Sequence, residues 1–217
     1  MRKIFLLFIA GLILLTGIAC EKKGAEKAKP SPFLTAEEIT AMQQKMAKLP
    51  AVPVTDNEIA VLETNLGTIE FELFPKVAPN HCASFKKLAL NGYYDGTTFH
   101  RVVPGFVIQG GDILSRDSNP YNDGNGGPGY ALNAEFSNIS HKRGIVSTAR
   151  EGNDINSGGS QFFICLADIP HLDGKYTVFG RVIKGMDVVD KIAQVVRDER
   201  DRPVQNVVMK HVTVQKR

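Results

Sequence analysis

The run Phe99-His100-Arg101-Val102-Val103-Pro104-Gly105-Phe106-Val107-Ile108-Gln109-Gly110-Gly111-Asp112 admits few folds. Two apolar stretches are split by Pro104-Gly105, where the chain turns. Strand alternation puts Phe99, Arg101 and Val103 on one face and His100 and Val102 on the other. After the turn, Val107 and Gln109 fall on one side, with Phe106 at the bend. A charged side chain amid apolar strands is expensive unless something requires it. Arg101 therefore either pairs with a buried carboxylate or performs a function.

Strand patterns recur through residues 56–217. Ile59 and Val61 alternate with polar or small neighbours, Asn65-Leu66-Gly67-Thr68 supplies a turn, and Ile69, Phe71 and Leu73 alternate with Glu70 and Glu72, which predicts an antiparallel hairpin. A helix follows Pro79, with Cys82, Phe85, Leu88 and Ala89 on one face and Asn91-Gly92 as its stop. Residues 115–129 read as a long loop, and strands return at 144–148, 161–166 and 177–183. Val189, Ile192, Ala193 and Val196 predict a second helix over 187–196, and Val212 and Val214 mark a last strand. Many short strands and only two helices suggest a mainly β domain with a closed sheet, because closure removes exposed edges.

Ahead of this domain the chain changes character. Arg2-Lys3, the apolar run from Ile4 to Leu15 and the small residues up to Cys20 read as an export signal over 1–19. The apolar stretch is short beside the ~20 residues of a spanning helix. Gly17-Ile18-Ala19-Cys20 resembles a bacterial lipobox, with Gly17 in place of the usual Leu; on that reading Cys20 is lipidated and tethers the protein outside the cytoplasm. An uncleaved anchor or an ordinary secretory signal is the alternative. Glu21 after the cysteine resembles signals for outer-membrane sorting, so the expected location is the periplasmic side of a membrane or the cell surface. Residues 20–32 have too little apolar surface to fold and form a linker. In the extension 33–55, Thr35-Ala36-Glu37-Glu38 offers a capping box, and Ile39, Met42, Met46 and Leu49 share one helical face. That Met-rich face either packs on the neighbouring domain or grips a client chain.

Charge and spacing exclude several functions. Discounting Arg2 and Lys3 leaves 24 basic against 23 acidic side chains, a net charge of +1 and no footprint for nucleic acid. Neither a phosphate-binding G-x-x-x-x-G-K-[ST] nor a strand-borne G-x-G-x-x-G occurs, so no nucleotide cofactor is expected. His81, His100, His141, His171 and His211 contain no pair at metal-binding helical spacing, and no Cys-x-x-Cys is present. Ser147 and Ser160 show no sign of an activating base. Cys82 and Cys165 are expected as two buried thiols.

The run from Phe99 to Asp112 resembles the signature of the cyclophilins, the cyclosporin-binding family of peptidyl-prolyl cis/trans isomerases. Further stretches match in order: Gly124-Asn125-Gly126-Gly127, Gly144-Ile145-Val146-Ser147, Gly159-Ser160-Gln161-Phe162-Phe163-Ile164, Leu172-Asp173-Gly174-Lys175-Tyr176 and Val178-Phe179-Gly180. The resemblance spans Glu58 to the C-terminus. It implies a closed eight-stranded antiparallel barrel capped by two helices, with the N-terminal helix as an extra. It also implies an isomerase that rotates X-Pro bonds and assists the folding of exported proteins, its partners being proline-containing peptides and unfolded exported chains. A proline-peptide binding module or holdase with incidental turnover is the other function class. An intact Arg101 favours the enzyme, and the Met-faced helix favours holding.

The chemistry asks for little. An X-Pro bond rotates slowly because amide resonance must be broken at the twisted state. Twisting returns a lone pair to the prolyl nitrogen, so a donor placed there stabilises the twisted state above either planar one. A guanidinium, with its several N–H donors and fixed charge, suits that task at Arg101. Gln109 braces the guanidinium or binds the substrate carbonyl. By resemblance the apolar walls are Phe106, Val107, Phe163 and Leu172, with Tyr176 and His100 at the rim; Gln161 and the backbone at Ala149-Arg150 hold the residues before proline. His100 is equally readable as a rim residue making a structural hydrogen bond. Val107 stands where the family often has Met, and His171 where many members have a Trp that holds cyclosporin, so weak cyclosporin binding is expected. The loop 151–158 is longer than in compact members.

Overall fold

The computed structural model describes residues 33–217. The stretches expected as an export signal (1–19), a lipidated Cys20 and a linker (20–32) lie outside the described residues.

Helix α1 (Ala36–Lys48) begins at the expected capping box. The Thr35 hydroxyl accepts from the Glu38 amide at 3.2 Å, and the Glu38 carboxylate accepts from the Thr35 amide at 2.8 Å. Ile39 and Met46 are buried in the main core, with Met42 and Leu49 packed against it. The Met-bearing face therefore lies on the domain and presents no open surface to a client. From helix α2 (Pro79–Leu90), the buried Lys87 donates to the Met46 carbonyl at 3.0 Å and the Leu49 carbonyl at 3.4 Å, which satisfies the C-terminal end of α1.

The described residues form eight strands, β1 (Glu58–Thr64), β2 (Gly67–Leu73), β3 (Arg101–Val103), β4 (Val107–Gly110), β5 (Ile145–Thr148), β6 (Phe162–Cys165), β7 (Val178–Lys184) and β8 (Met209–Lys216). They form one antiparallel sheet in the order β3-β4-β6-β5-β7-β2-β1-β8. The expected closure of this sheet into a barrel is corrected: it is open and curled, and its edge strands β3 and β8 do not pair as a ladder. One isolated bridge, Thr98↔Val208, spans the seam, supported by bonds from Phe99 N to Val207 O (2.9 Å) and from Met209 N to Thr97 O (2.8 Å). β3 is too short to extend that bridge; past it, Val102 N donates to Asp201 O at 2.8 Å, so an irregular segment covers the edge. Gly110 permits the close approach, because a Cβ there would lie 2.6 Å from Met209 Cε and 3.0 Å from Thr98 O.

Two apolar clusters lie on the two faces of the strands. The main core holds Phe71, Phe85, Tyr94, Phe162 and Phe179 among others, with Phe85 stacked on Tyr94 at 5.0 Å. The second cluster takes the alternate residues: Val107 of β4, and Phe163 and Cys165 of β6, where Ile108, Phe162 and Ile164 point to the main core. Cys82 and Cys165 are buried free thiols, each pushed up to about 12 by burial. Two sequence expectations need correction. Phe99 does not share the face of Arg101 but packs in the main core with Val102, because β3 starts only at Arg101 and alternation does not reach back. Helix α3 spans Met186–Ala193, shorter than the expected 187–196, and Val196 is 76% exposed; Arg197 donates to the Ala193 and Val195 carbonyls where the helix stops.

Candidate active site

Register across four strands builds the site on the outer face of the sheet. Arg101 pairs with Gln109, Gln109 with Phe163, and Phe163 with Ser147, so these side chains form one row across β3, β4, β6 and β5. Val107, two residues from Gln109, joins the same face of β4. Phe106 sits at the turn after β3, its ring stacked on His171 with centroids 5.9 Å apart and 6° between planes. Leu172 is brought in by a short 3-10 turn, Pro170–Leu172, and Tyr176 meets Phe163 edge-on at 5.6 Å.

Together Arg101, Phe106, Val107, Gln109, Phe163 and Leu172 line a cleft of about 170 Å³, which Ala149, Arg150 and Tyr176 complete. No carboxylate pairs with Arg101 among the described residues; its side chain donates only to Gln109, from Nη1 to Oε1 at 3.4 Å. The alternative of a buried ion pair is thereby removed. Arg150 lies over the Tyr176 ring, 4.8 Å from its centroid, and donates to the Lys175, Glu151 and Gly152 carbonyls. The Ala149 amide donates to Gln161 O at 2.9 Å.

Gln161 does not line this cleft. It stands in an adjoining one of about 520 Å³, whose wall includes Gly126, Gly127, Tyr130 and Ser157 and which shares Gln109, Ala149 and Arg150 with the first. His100 lines neither. It is buried beneath Gly124, with both ring nitrogens unpartnered, and burial pushes it down to about 4 against the opposing pull of Asp123.

Behind the Phe163 wall the structure brings together three residues that sequence reasoning left unconnected. Ser147 Oγ lies 2.9 Å from His141 Nε2, and His141 Nδ1 lies 3.0 Å from Asp173 Oδ1. Burial holds the His141 ring down, while the His141 amide and ring hold the Asp173 carboxyl below its ordinary range. The ring is then neutral, donating from Nδ1 to the carboxylate and accepting the Ser147 hydroxyl proton at Nε2. Ser147 is completely buried, so the group supports the wall and offers no nucleophile to a substrate: the His141 ring stacks on Phe163 at 6.1 Å. Gln43 of α1, which lines the larger cleft, was also not anticipated, because it lies far from the motifs in sequence.

Comparison with known proteins agrees in sequence and in fold. The family described as cyclophilin type peptidyl-prolyl cis-trans isomerase/CLD matches residues 59–214. A peptidyl-prolyl cis-trans isomerase of Helicobacter pylori is 48% identical over 139 residues, covering 62% of this chain and 80% of its own. Peptidyl-prolyl cis-trans isomerase B of Bacillus subtilis is 50% identical over 121 residues, covering 55% of this chain and 78% of its own. The crystal structure of a Cryptosporidium parvum cyclophilin-type isomerase, determined in the presence of the dipeptide Ala-Pro, superposes with a TM-score of 0.66 at 32% identity, covering 73% of this chain and 99% of that one.

Proposed function

The chain belongs to the cyclophilin-type peptidyl-prolyl cis-trans isomerase family and is a peptidyl-prolyl cis-trans isomerase, and we propose that Arg101 is the donor that drives its reaction. The carrying observation is a guanidinium at an apolar cleft with a single protein acceptor. Its other N–H groups are free to meet a substrate. Phe106, Val107, Phe163 and Leu172 seat the proline ring and exclude water, which strengthens the contact between Arg101 and the prolyl nitrogen as the bond twists. Gln109 braces the guanidinium, Ala149, Arg150 and Gln161 hold the residues before proline, and Tyr176 stands at the rim. No covalent bond forms, and the enzyme acts by favouring the twisted state over both planar ones.

The substrates in this reading are exported proteins. The basic pair Arg2-Lys3, the apolar run after it and the sequence Gly17-Ile18-Ala19-Cys20 support a lipid anchor at Cys20 that tethers the enzyme on the periplasmic side of a membrane or at the cell surface. No helix among the described residues is long and apolar enough to cross a membrane. Replacing Cys20 by Ala and following the protein into membrane and soluble fractions tests the anchor. Cis-to-trans isomerisation of a short X-Pro peptide, measured beside Arg101→Ala, tests the site. Losing one preorganised donor should cost roughly 3–4 kcal/mol, a rate loss on the order of 10²–10³. A folded Arg101→Ala protein at full speed would refute the assignment.

A further inference from the structure

The second cleft is lined in part by Gln43 of a helix outside the family match, and hydrogen bonds lead from that helix to Arg101. Gln43 Nε2 donates to the Gly127 carbonyl at 2.9 Å. Gly129, with φ +83°, passes so close that a Cβ there would lie 2.8 Å from the Gln43 carbonyl oxygen. Just ahead of α1, Leu34 N donates to Arg116 O at 2.9 Å, so the segment leading into the helix is tied to the start of the loop as the helix is tied to its end. On its inner side this loop turns the Gly124 and Gly126 carbonyls toward Gln161, whose Nε2 donates to both at 2.8 Å. Gln161 Oε1 accepts from Gln109 Nε2 at 3.0 Å, and Gln109 Oε1 accepts from Arg101 Nη1 at 3.4 Å.

The polarity of this series is set at the loop. Carbonyls only accept, so Gln161 must turn its NH₂ to the loop and its oxygen to Gln109. Gln109 must then turn its NH₂ to Gln161 and its oxygen to the guanidinium. Without the two loop carbonyls, Gln161 is free to reverse, and a reversed Gln109 would press an NH₂ against a cation. α1 can serve as the fixed end because Ile39 and Met46 are in the core and Lys87 holds its last carbonyls.

We infer that α1 belongs to the working machinery of the isomerase and that Gln43 is a positioning residue, acting through the loop at Gly124–Gly127 to orient Gln161, Gln109 and finally Arg101. The inference rests on Arg101 being the catalytic donor.

Its test uses the full-length chain and steady-state isomerisation of an X-Pro peptide. Gln43→Met keeps the length of the side chain and removes the donor. It should lower kcat about 3- to 10-fold with little change in KM. Gln44→Met, on the exposed side of the same helix, should leave both unchanged. In a Gln161→Leu background Gln43→Met should have no further effect, which a merely structural role would not produce. An unchanged kcat in Gln43→Met, or an equal loss in both backgrounds, overturns the inference and leaves Arg101 in its role if Arg101→Ala is crippled. An undiminished Arg101→Ala overturns both.

Discussion

Arg101 and Gln109 stand directly opposite each other across the β3–β4 pair, with Nη1 of the arginine 3.4 Å from Oε1 of the glutamine. Backbone register sets the two residues side by side, and the orientation of the Gln109 amide decides which of its atoms faces the guanidinium. The pairing gives a flexible cation one neutral anchor and leaves its charge uncancelled. A carboxylate in the same place would hold the guanidinium more tightly but would compete with the prolyl nitrogen for it.

Gln109→Leu removes that acceptor while the strand pairing persists. A hydrogen bond to a charged group contributes about 1.5–3 kcal/mol, so kcat/KM should fall roughly 10- to 100-fold with the fold intact. Peptide isomerisation and circular dichroism on the same sample check both halves; full activity would mean that Arg101 is held by something else.

Met46→Ala tests whether α1 is part of the folding unit. Met46 is fully buried in the main core, and truncation of such a side chain costs about 2–5 kcal/mol. Urea unfolding should show a single transition with its midpoint lowered accordingly. A separate early transition would show that the helix docks on a domain that is stable without it.

Stability should fall as pH is lowered from about 6.5 toward 4. His100 is pushed down from its ordinary 6.5 to about 4, so in that window the unfolded chain binds a proton that the folded chain refuses. The shift corresponds to roughly 3 kcal/mol, fully present above pH 6.5 and lost as pH falls through the folded value. Burial also lowers His81 and His141, which adds the same sign. Denaturant unfolding across this range should give a smaller slope for His100→Asn than for the parent; equal slopes would show that His100 does not carry the effect.

Cyclosporin at nanomolar concentration should leave most of the activity. His171 stacks on Phe106, and on the family resemblance it takes the place of a Trp that holds the drug, which is the ground of this expectation. Inhibition curves for the parent and for His171→Trp decide the matter: the substitution should raise sensitivity, and a parent already inhibited at nanomolar drug contradicts the expectation.

Much of this architecture was legible because it is local. The β1–β2 hairpin, the capping box of α1, the apolar face of α2 and the two buried thiols each follow from spacing over a few residues. Arg101 and Gln109 belong to the same class, since a short turn joins their strands. Family resemblance set His100 at the rim, whereas it lines neither cleft and lies buried ahead of β3, where strand alternation does not reach. The resemblance, not the pattern, pointed to Phe163, Leu172 and Ala149, which arrive at the cleft from distant segments.

What the amino-acid sequence determined by itself was therefore the set of strands and helices, the presence of an arginine in an apolar setting and the family it belongs to. The tertiary structure alone decided which distant groups meet. It left the sheet open at a seam crossed by one bridge, and it set Glu135 against the first amides of α2, where Ala78 offers no side-chain cap. It joined Ser147 to His141 and Asp173, and it set Gln43 against Gly127. The reason is physical: propensity, alternation and capping act over a few residues. Hydrogen bonds between remote segments depend on how whole elements pack, and no short-range pattern records that.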